Sequence, residues 1–166
     1  GIVRLGLETG AGAADQGLPA RLLAEVDLPG HGPRPYHQLS GGEQARVQLA
    51  RVLAQARKPV TEHGPTWLFL DEPVASLDIA HQLLVMRLAR RFADEGGGVV
   101  AVMHDLNLTA MVADRVLLMQ AGRLAAQGRT DQVIADAPLQ SAFDSGIQVN
   151  ALPESGPWVL PQTVQV

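Results

Sequence analysis

The sequence has no cysteine, which excludes disulfides, thiolate metal sites and cysteine nucleophiles. It has a single lysine, Lys58, preceded by Arg57. The phosphate-cradling pattern G-x-x-x-x-G-K-[ST] therefore occurs nowhere in it. No apolar run approaches the ~18 residues of a membrane span, and no signal peptide is visible. Net charge is −4, so nothing global points to nucleic acid or to an anionic membrane surface. What is present is ordinary for a globular protein: 166 residues, 46% apolar and 18% charged, enough for one domain with a real core. A soluble intracellular domain is the expectation. The chain starts at Gly1 rather than methionine, and the simplest expectation is a fragment whose N-terminal portion, carrying the phosphate-cradling loop, is missing.

The chain is organised around Leu39-Ser40-Gly41-Gly42-Glu43-Gln44 and the helical run from Ala45 to Lys58. Ser40 with Glu43 three residues on is a capping-box pattern, so a helix start is predicted at Ser40. Ala45, Leu49, Val52, Leu53 and Ala56 recur at helical spacing, with Gln44, Arg46, Gln48, Arg51 and Gln55 off that face. Arg57 and Lys58 are expected in the last turn, where the helix dipole favours cations. A capping box alone signifies only a well-started helix. Two glycines in its first turn cost helix stability, and they let a phosphate approach the free N–H groups at the positive end of the dipole. The stretch reads as an anion-binding helix start.

Along the rest of the chain, residues 1–18 show little periodicity, and a short helix is predicted over Pro19–Val26. Leu28–Gln38 and Pro59–Pro65 read as loops. His31 and His37 read as loop surface, since no ligand spacing accompanies them. Thr66-Trp67-Leu68-Phe69-Leu70 is a continuous apolar run, the pattern of a strand buried on both faces in a parallel sheet. It ends in Asp71-Glu72-Pro73, and active sites of parallel sheets lie at the carboxyl ends of strands; the acidic pair by itself fits a solvated turn equally well. Asp78 is placed to cap a helix bearing Leu84, Val85, Leu88 and Phe92, which Gly96-Gly97-Gly98 stops. Val99–Met103 is a second buried strand delivering His104-Asp105, where a lone histidine can be structural or functional; Asp105 caps a helix over Leu106–Ala113. Arg115–Met119 and Arg123–Ala126 flank a hairpin turn at Gln120-Ala121-Gly122. Helices are expected near Asp131–Ala135 and Pro138–Phe143, then two short edge strands, Ile147–Ala151 and Trp158–Leu160, with no chemistry assigned to the tail.

Leu39–Gln44 matches the signature motif of ATP-binding cassette (ABC) ATPases. Its continuation to Gln55, together with Arg34-Pro35-Tyr36, resembles the ATPase subunits of bacterial haemin importers. In order after it, Leu70-Asp71-Glu72-Pro73 resembles the Walker B motif, Val74-Ala75-Ser76-Leu77-Asp78 the D-loop with Val at a position more often Thr, and His104 the H-loop histidine. The run Asp78–Gln82 is similar to the iron-siderophore, cobalamin and haemin importer branch, which makes His81 a subfamily marker. The resemblance covers residues 34–145 well and the ends weakly.

What the resemblance implies is as follows. The fold is α/β: the C-terminal part of a P-loop ATPase domain with buried, mainly parallel strands, a remnant of the helical subdomain and a C-terminal β-hairpin. Residues 1–58 carry that remnant with the signature helix, and residues 59–166 the C-terminal part of the ATPase core. The cofactors are ATP and Mg²⁺. Ser40, Gly41, Gly42, Glu43 and Asp78 bind nucleotide across a dimer interface, Asp71 holds Mg²⁺ through water, Glu72 polarises the attacking water, and His104 contacts the γ-phosphate. Partners are a second ATPase subunit, transmembrane permease subunits and, indirectly, a periplasmic substrate-binding protein, with no nucleic acid. The expected place is the cytoplasmic face of the inner membrane, the expected cargo haemin, with iron-siderophore or cobalamin as alternatives. A DNA-repair ATPase of the same superfamily would insert coiled coils or zinc modules between its nucleotide motifs, whereas one helix and a short loop join Glu43 to Asp71 here. A non-catalytic interaction protein keeping only the signature half leaves Glu72 and His104 without a purpose.

Overall fold

The computed structural model describes residues 17–56 and 58–164. The aperiodic N-terminal stretch up to residue 16 and Arg57 lie outside the described residues. The chain divides into two compact units, Gly1–Met103 and His104–Val166.

In the first unit, helix α1 (Leu18–Glu25) starts with proline at its first turn, where a missing N–H costs nothing, and buries Leu22 and Leu23. Val26 and Leu28 follow it into the interior. Helix α2 (Gly41–Gln55) packs against α1. Its buried residues are Arg46, Val47, Leu49, Ala50 and Ala54, so the inward face is turned from the one read in the sequence and includes an arginine. The helix ends at Gln55, with Lys58 beyond it rather than in its last turn. Strands β1 (Val60–Thr61) and β2 (Gly64–Pro65) form a small antiparallel hairpin inside the stretch expected to be a loop.

Strands β3 (Trp67–Asp71) and β4 (Gly98–Val102) pair in parallel, from Trp67 opposite Gly98 to Asp71 opposite Val102. The helix between them, α3 (Ile79–Asp94), packs on β4 and buries Leu83, Val85, Met86, Leu88, Ala89 and Phe92. Burial of β3 on both faces does not hold: Leu68 and Leu70 are buried, while Phe69 is 74% exposed and Trp67 56%. Among the described residues no third strand joins this pair, and the face of β3 that carries Trp67 and Phe69 is exposed. The glycine run ends α3 as expected. Gly96 sits at φ +94°, its N–H bonds to the Ala93 carbonyl at 2.9 Å, and the Gly97 N–H bonds to the Phe92 carbonyl at 3.1 Å. These are the two bonds of a Schellman cap, which needs a left-handed residue at Gly96.

In the second unit, helix α4 (Leu106–Val112) is capped by Asp105, which accepts from the N–H groups of Asn107 at 2.8 Å and Leu108 at 2.9 Å. Strands β5 (Arg115–Gln120) and β6 (Arg123–Arg129) form the expected antiparallel hairpin, with a bulge at Leu118/Met119. Ala121 and Gly122 both have positive φ, as a tight two-residue hairpin turn requires. Helices α5 (Thr130–Val133) and α6 (Asp136–Phe143) follow, and Leu118, Val133 and Leu139 form a buried cluster. The two tail strands do not form. The Val149 N–H bonds to the Asp136 carboxylate at 2.7 Å and the Ile147 carbonyl accepts from the Gln140 amide at 2.8 Å, and Pro161–Thr163 is a 3-10 turn. Side chains of α6 thus satisfy the backbone at Ile147 and Val149, and further along the three prolines in 153–161 cannot donate to a ladder.

Candidate functional site

The first turn of α2 is built by its own sequence. Ser40, in extended conformation, accepts the Glu43 N–H on its hydroxyl at 3.2 Å, and Glu43 accepts the Ser40 N–H at 2.7 Å. The reciprocal cap satisfies two donors and leaves the N–H groups of Gly41 and Gly42 at the helix start with no partner within the helix. Glu43 also meets Arg34 and His31, each at 3.3 Å. The Ser40 backbone N–H and hydroxyl, then Arg34 and His31, hold the Glu43 carboxyl below the usual glutamate range. Gln44 donates to the Leu39 carbonyl at 2.9 Å and Gln48 to the Tyr36 hydroxyl at 3.1 Å, which ties Arg34-Pro35-Tyr36 to the helix. His31, read as loop surface, thus pairs with Glu43.

The two glycines are not equivalent. A Cβ on Gly41 would meet nothing within 4 Å, whereas one on Gly42 would lie 3.4 Å from the Ser76 carbonyl and 3.5 Å from Leu77. The loop after β3 therefore runs against the glycine start of α2.

That loop begins with a strained residue. Glu72 has φ +45°, a conformation costly for a residue with a side chain, and it directly precedes Pro73. Its N–H bonds to the Val102 carbonyl at 3.1 Å, which fixes it at the carboxyl edge of the β3–β4 pair. Strain of this kind persists where surrounding structure imposes it, commonly at functional sites. Asp71 is the last residue of β3 and is exposed. Among the described residues no group of three or more His, Cys, Asp or Glu could enclose a metal ion. An isolated carboxylate fits Mg²⁺, which is held by one or two carboxylates together with water and substrate phosphates rather than by a protein cage.

Asp78 caps α3 by accepting the His81 backbone N–H at 3.0 Å. The His81 ring Nδ1 lies 2.8 and 2.9 Å from its two oxygens. These bonds, the backbone one first, hold the Asp78 carboxyl below the usual aspartate range. The structure thus brings Ser40, Gly41, Gly42 and Glu43 into one turn and lays Ser76 and Leu77 beside it. His104 is exposed at the start of the second unit.

No family model matches the chain. It is 55% identical over 165 residues to the hemin import ATP-binding protein HmuV of Ruegeria sp. (strain TM1040), covering 99% of this chain and 64% of that protein. The chain belongs to the ATP-binding cassette ATPase family. The HmuV of Jannaschia sp. (strain CCS1) is 57% identical over 152 residues, which cover 92% of this chain and 56% of that one. Cassette architecture recurs in solved structures. The cbiO1 subunit of the ABC transporter complex cbiONQ from Clostridium perfringens superimposes with a TM-score of 0.61 at 25% identity, over 86% of this chain and 55% of that one. An ATP-binding cassette of an ABC transporter in its ADP conformation gives 0.62 at 19% identity, covering 80% and 52%, a likeness of fold. The chain spans less than two thirds of the length of these cassettes. Among the described residues no helix is long and apolar enough to cross a membrane.

Sequence reading missed three residues around helix α2, namely Arg46, Asp27 and His81. Arg46 is buried and donates to the carbonyls of Val26 at 3.2 Å and Asp27 at 3.1 Å. Asp27, at φ +57°, turns its carboxylate to Arg46 at 3.6 Å and to the His81 Nε2 at 3.3 Å. Helical periodicity places any arginine outside, and only the positions of the carbonyls after α1 could have revealed this one.

Proposed function

We propose that the chain is part of the ATP-hydrolysing subunit of an ABC importer that takes up haemin across the bacterial inner membrane. One observation carries the assignment: 55% identity, over 99% of the chain, to a hemin import ATP-binding protein. The glycine start of α2, with Ser76 and Leu77 against it, supports the nucleotide part of the reading. The phosphate-cradling lysine comes from outside these 166 residues, since Lys58 lacks the glycine pattern around it.

In this reading two ATPase subunits face each other, and ATP lies between the lysine loop of one and the signature of the other. The Ser40 hydroxyl and the N–H groups of Gly41 and Gly42 bind the γ-phosphate. Glu43 keeps Ser40 in place through the cap, and Asp78 crosses the interface. Asp71 holds Mg²⁺ through water; the ion supplies neutralisation of phosphate charge. Glu72 orients the attacking water, and His104 reaches the γ-phosphate. Little covalent chemistry falls to the protein, so its contribution is positioning and charge. Residues 1–58 form part of the helical subdomain and 59–166 part of the core. Permease subunits and a periplasmic binding protein complete the importer, with the ATPase on the cytoplasmic face of the membrane.

The test is reconstitution of the complete subunit with its permease in proteoliposomes. Haemin with its binding protein should stimulate ATP hydrolysis and accumulate in the lumen. Stimulation by cobalamin or a ferric siderophore, with none by haemin, would overturn the cargo and leave the ATPase standing.

A further inference from the structure

We propose that His81 is a positioning residue that fixes the carboxylate of Asp78 beside the nucleotide-facing turn, with Asp27 and Arg46 holding its ring. The inference rests on the reading of Asp78 as the interface carboxylate of an ATPase and goes beyond it. Four side chains form a continuous line. The buried Arg46 of α2 reaches Asp27, the Asp27 carboxylate lies 3.3 Å from the His81 Nε2, and the His81 Nδ1 lies 2.8 Å from Asp78. A carboxylate can only accept, so a ring nitrogen that bonds to Asp78 or to Asp27 does so as an N–H donor, and Nδ1 is placed to donate to both Asp78 oxygens.

The bond is more than the helix cap. The cap is made by the backbone N–H of His81, at 3.0 Å, and any residue at position 81 supplies it. The ring adds a second donor that reaches both oxygens and so fixes the rotation of a carboxylate that is otherwise 66% exposed. An exposed aspartate at a helix start otherwise samples several rotamers. Asp27 and Arg46 supply what a single pair lacks. The Asp27 backbone is in the left-handed region, where few non-glycine residues sit, and its carbonyl is held by Arg46. The ring of His81 therefore approaches a carboxylate already fixed to the signature helix. The line joins that helix to the loop that touches Gly42, so Asp78 keeps its orientation relative to the phosphate-facing turn.

The separation of backbone cap from ring donor gives the test. In the complete subunit, His81→Asn places an amide N–H where Nδ1 stands, His81→Gln places one near Nε2, and His81→Ala removes both. All three keep the backbone cap. His81→Ala and His81→Gln should lower kcat about tenfold with the KM for Mg·ATP within about twofold, the pattern of an interaction made only in the transition state. His81→Asn should retain about half of the parent kcat, and melting temperatures should agree within about 2 °C, no more than the shift from a ~1 kcal/mol loss in a protein of this size. Parent-like activity of His81→Ala overturns the proposal. So does equal damage from Asn and Ala, or activity loss that tracks melting temperature. An inactive parent subunit would overturn the ATPase reading instead. Nitrogen NMR of the His81 ring then decides: an unprotonated Nδ1 overturns the proposal, and a protonated one bonded to Asp78 upholds it.

Discussion

Gly42 lies against the Ser76 carbonyl, so that a Cβ at position 42 would sit 3.4 Å from that oxygen, while Gly41 one residue earlier faces open space. The contact makes the two glycines different probes of the same turn. At Gly42 a methyl group would touch the neighbouring loop as well as any phosphate, so Gly41 isolates the ligand effect.

Gly41→Ala should leave the melting temperature unchanged or raise it slightly, because alanine is the better helix former and meets no neighbour. ATP hydrolysis by the complete dimer should fall roughly tenfold or more if the backbone there contacts phosphate. Thermal melts beside steady-state ATPase rates decide it, and parent-like hydrolysis would reduce the turn to a helix cap.

Glu72 also separates stability from activity. Glu72→Gln should lower turnover about a hundredfold or more while ATP binding persists, since only the group that orients water changes. Glu72→Gly should also be inactive yet gain up to about 1 kcal/mol, because glycine tolerates φ +45°. Chemical denaturation of the pair reads the second effect, and equal stability of Gly and Gln variants would contradict the strain.

The acid limb of stability follows from Glu43 and Asp78. Both carboxyls are held below their ordinary values of 4.5 and 3.8. Their contribution is fully present above those values and is lost as the pH falls through the lower folded-state ones. Urea midpoints should therefore be flat near neutrality and decline as the pH drops below about 4.5. Glu43→Gln should flatten that decline and leave the plateau only slightly lower.

Gly98 is paired with Trp67 across the parallel strands, and a Cβ there would come within 2.3 Å of the Trp67 ring. Gly98→Ala should destabilise by about 1–3 kcal/mol, the range for overpacking. Trp67→Leu in the same chain should recover much of the loss. A double-mutant cycle by denaturation measures the coupling, and additive effects would show that the ring moves aside freely.

The 166-residue chain alone should not bind Mg·ATP with micromolar affinity, because its sole lysine lies outside any glycine-rich cradle. Isothermal titration calorimetry tests this directly, and micromolar binding would contradict the assignment of the phosphate loop to another segment.

Much of the architecture was legible because it obeys local rules. Ser40 and Glu43 announced the start of α2, Gly96 the end of α3, and Ala121-Gly122 the turn of the β5–β6 hairpin. What local rules cannot see came out differently. Arg46 is buried because carbonyls after α1, some twenty residues earlier in the chain, receive it. β1 and β2 are two residues each, too short for an alternating pattern. The outer face of β3 is exposed because continuous apolarity records a residue's preference, not whether a neighbour is present. The role of His81 was hidden for the same reason: its second carboxylate is 54 positions away.

The parallel pairing of β3 with β4 also sets an order of events. Each β3 residue waits for a partner about thirty positions further along, beyond the whole of α3. At roughly 5–20 residues per second, ribosomal synthesis leaves β3 without its partner for some 2–6 s. Throughout that interval Trp67, Leu68, Phe69 and Leu70 form an apolar, β-prone strand whose β4 edge is open, and in the folded chain Leu68 and Leu70 are buried but Phe69 is not. The nascent chain is therefore most exposed to wrong partners just after Asp71 emerges, and holdase chaperones would find their binding segment there.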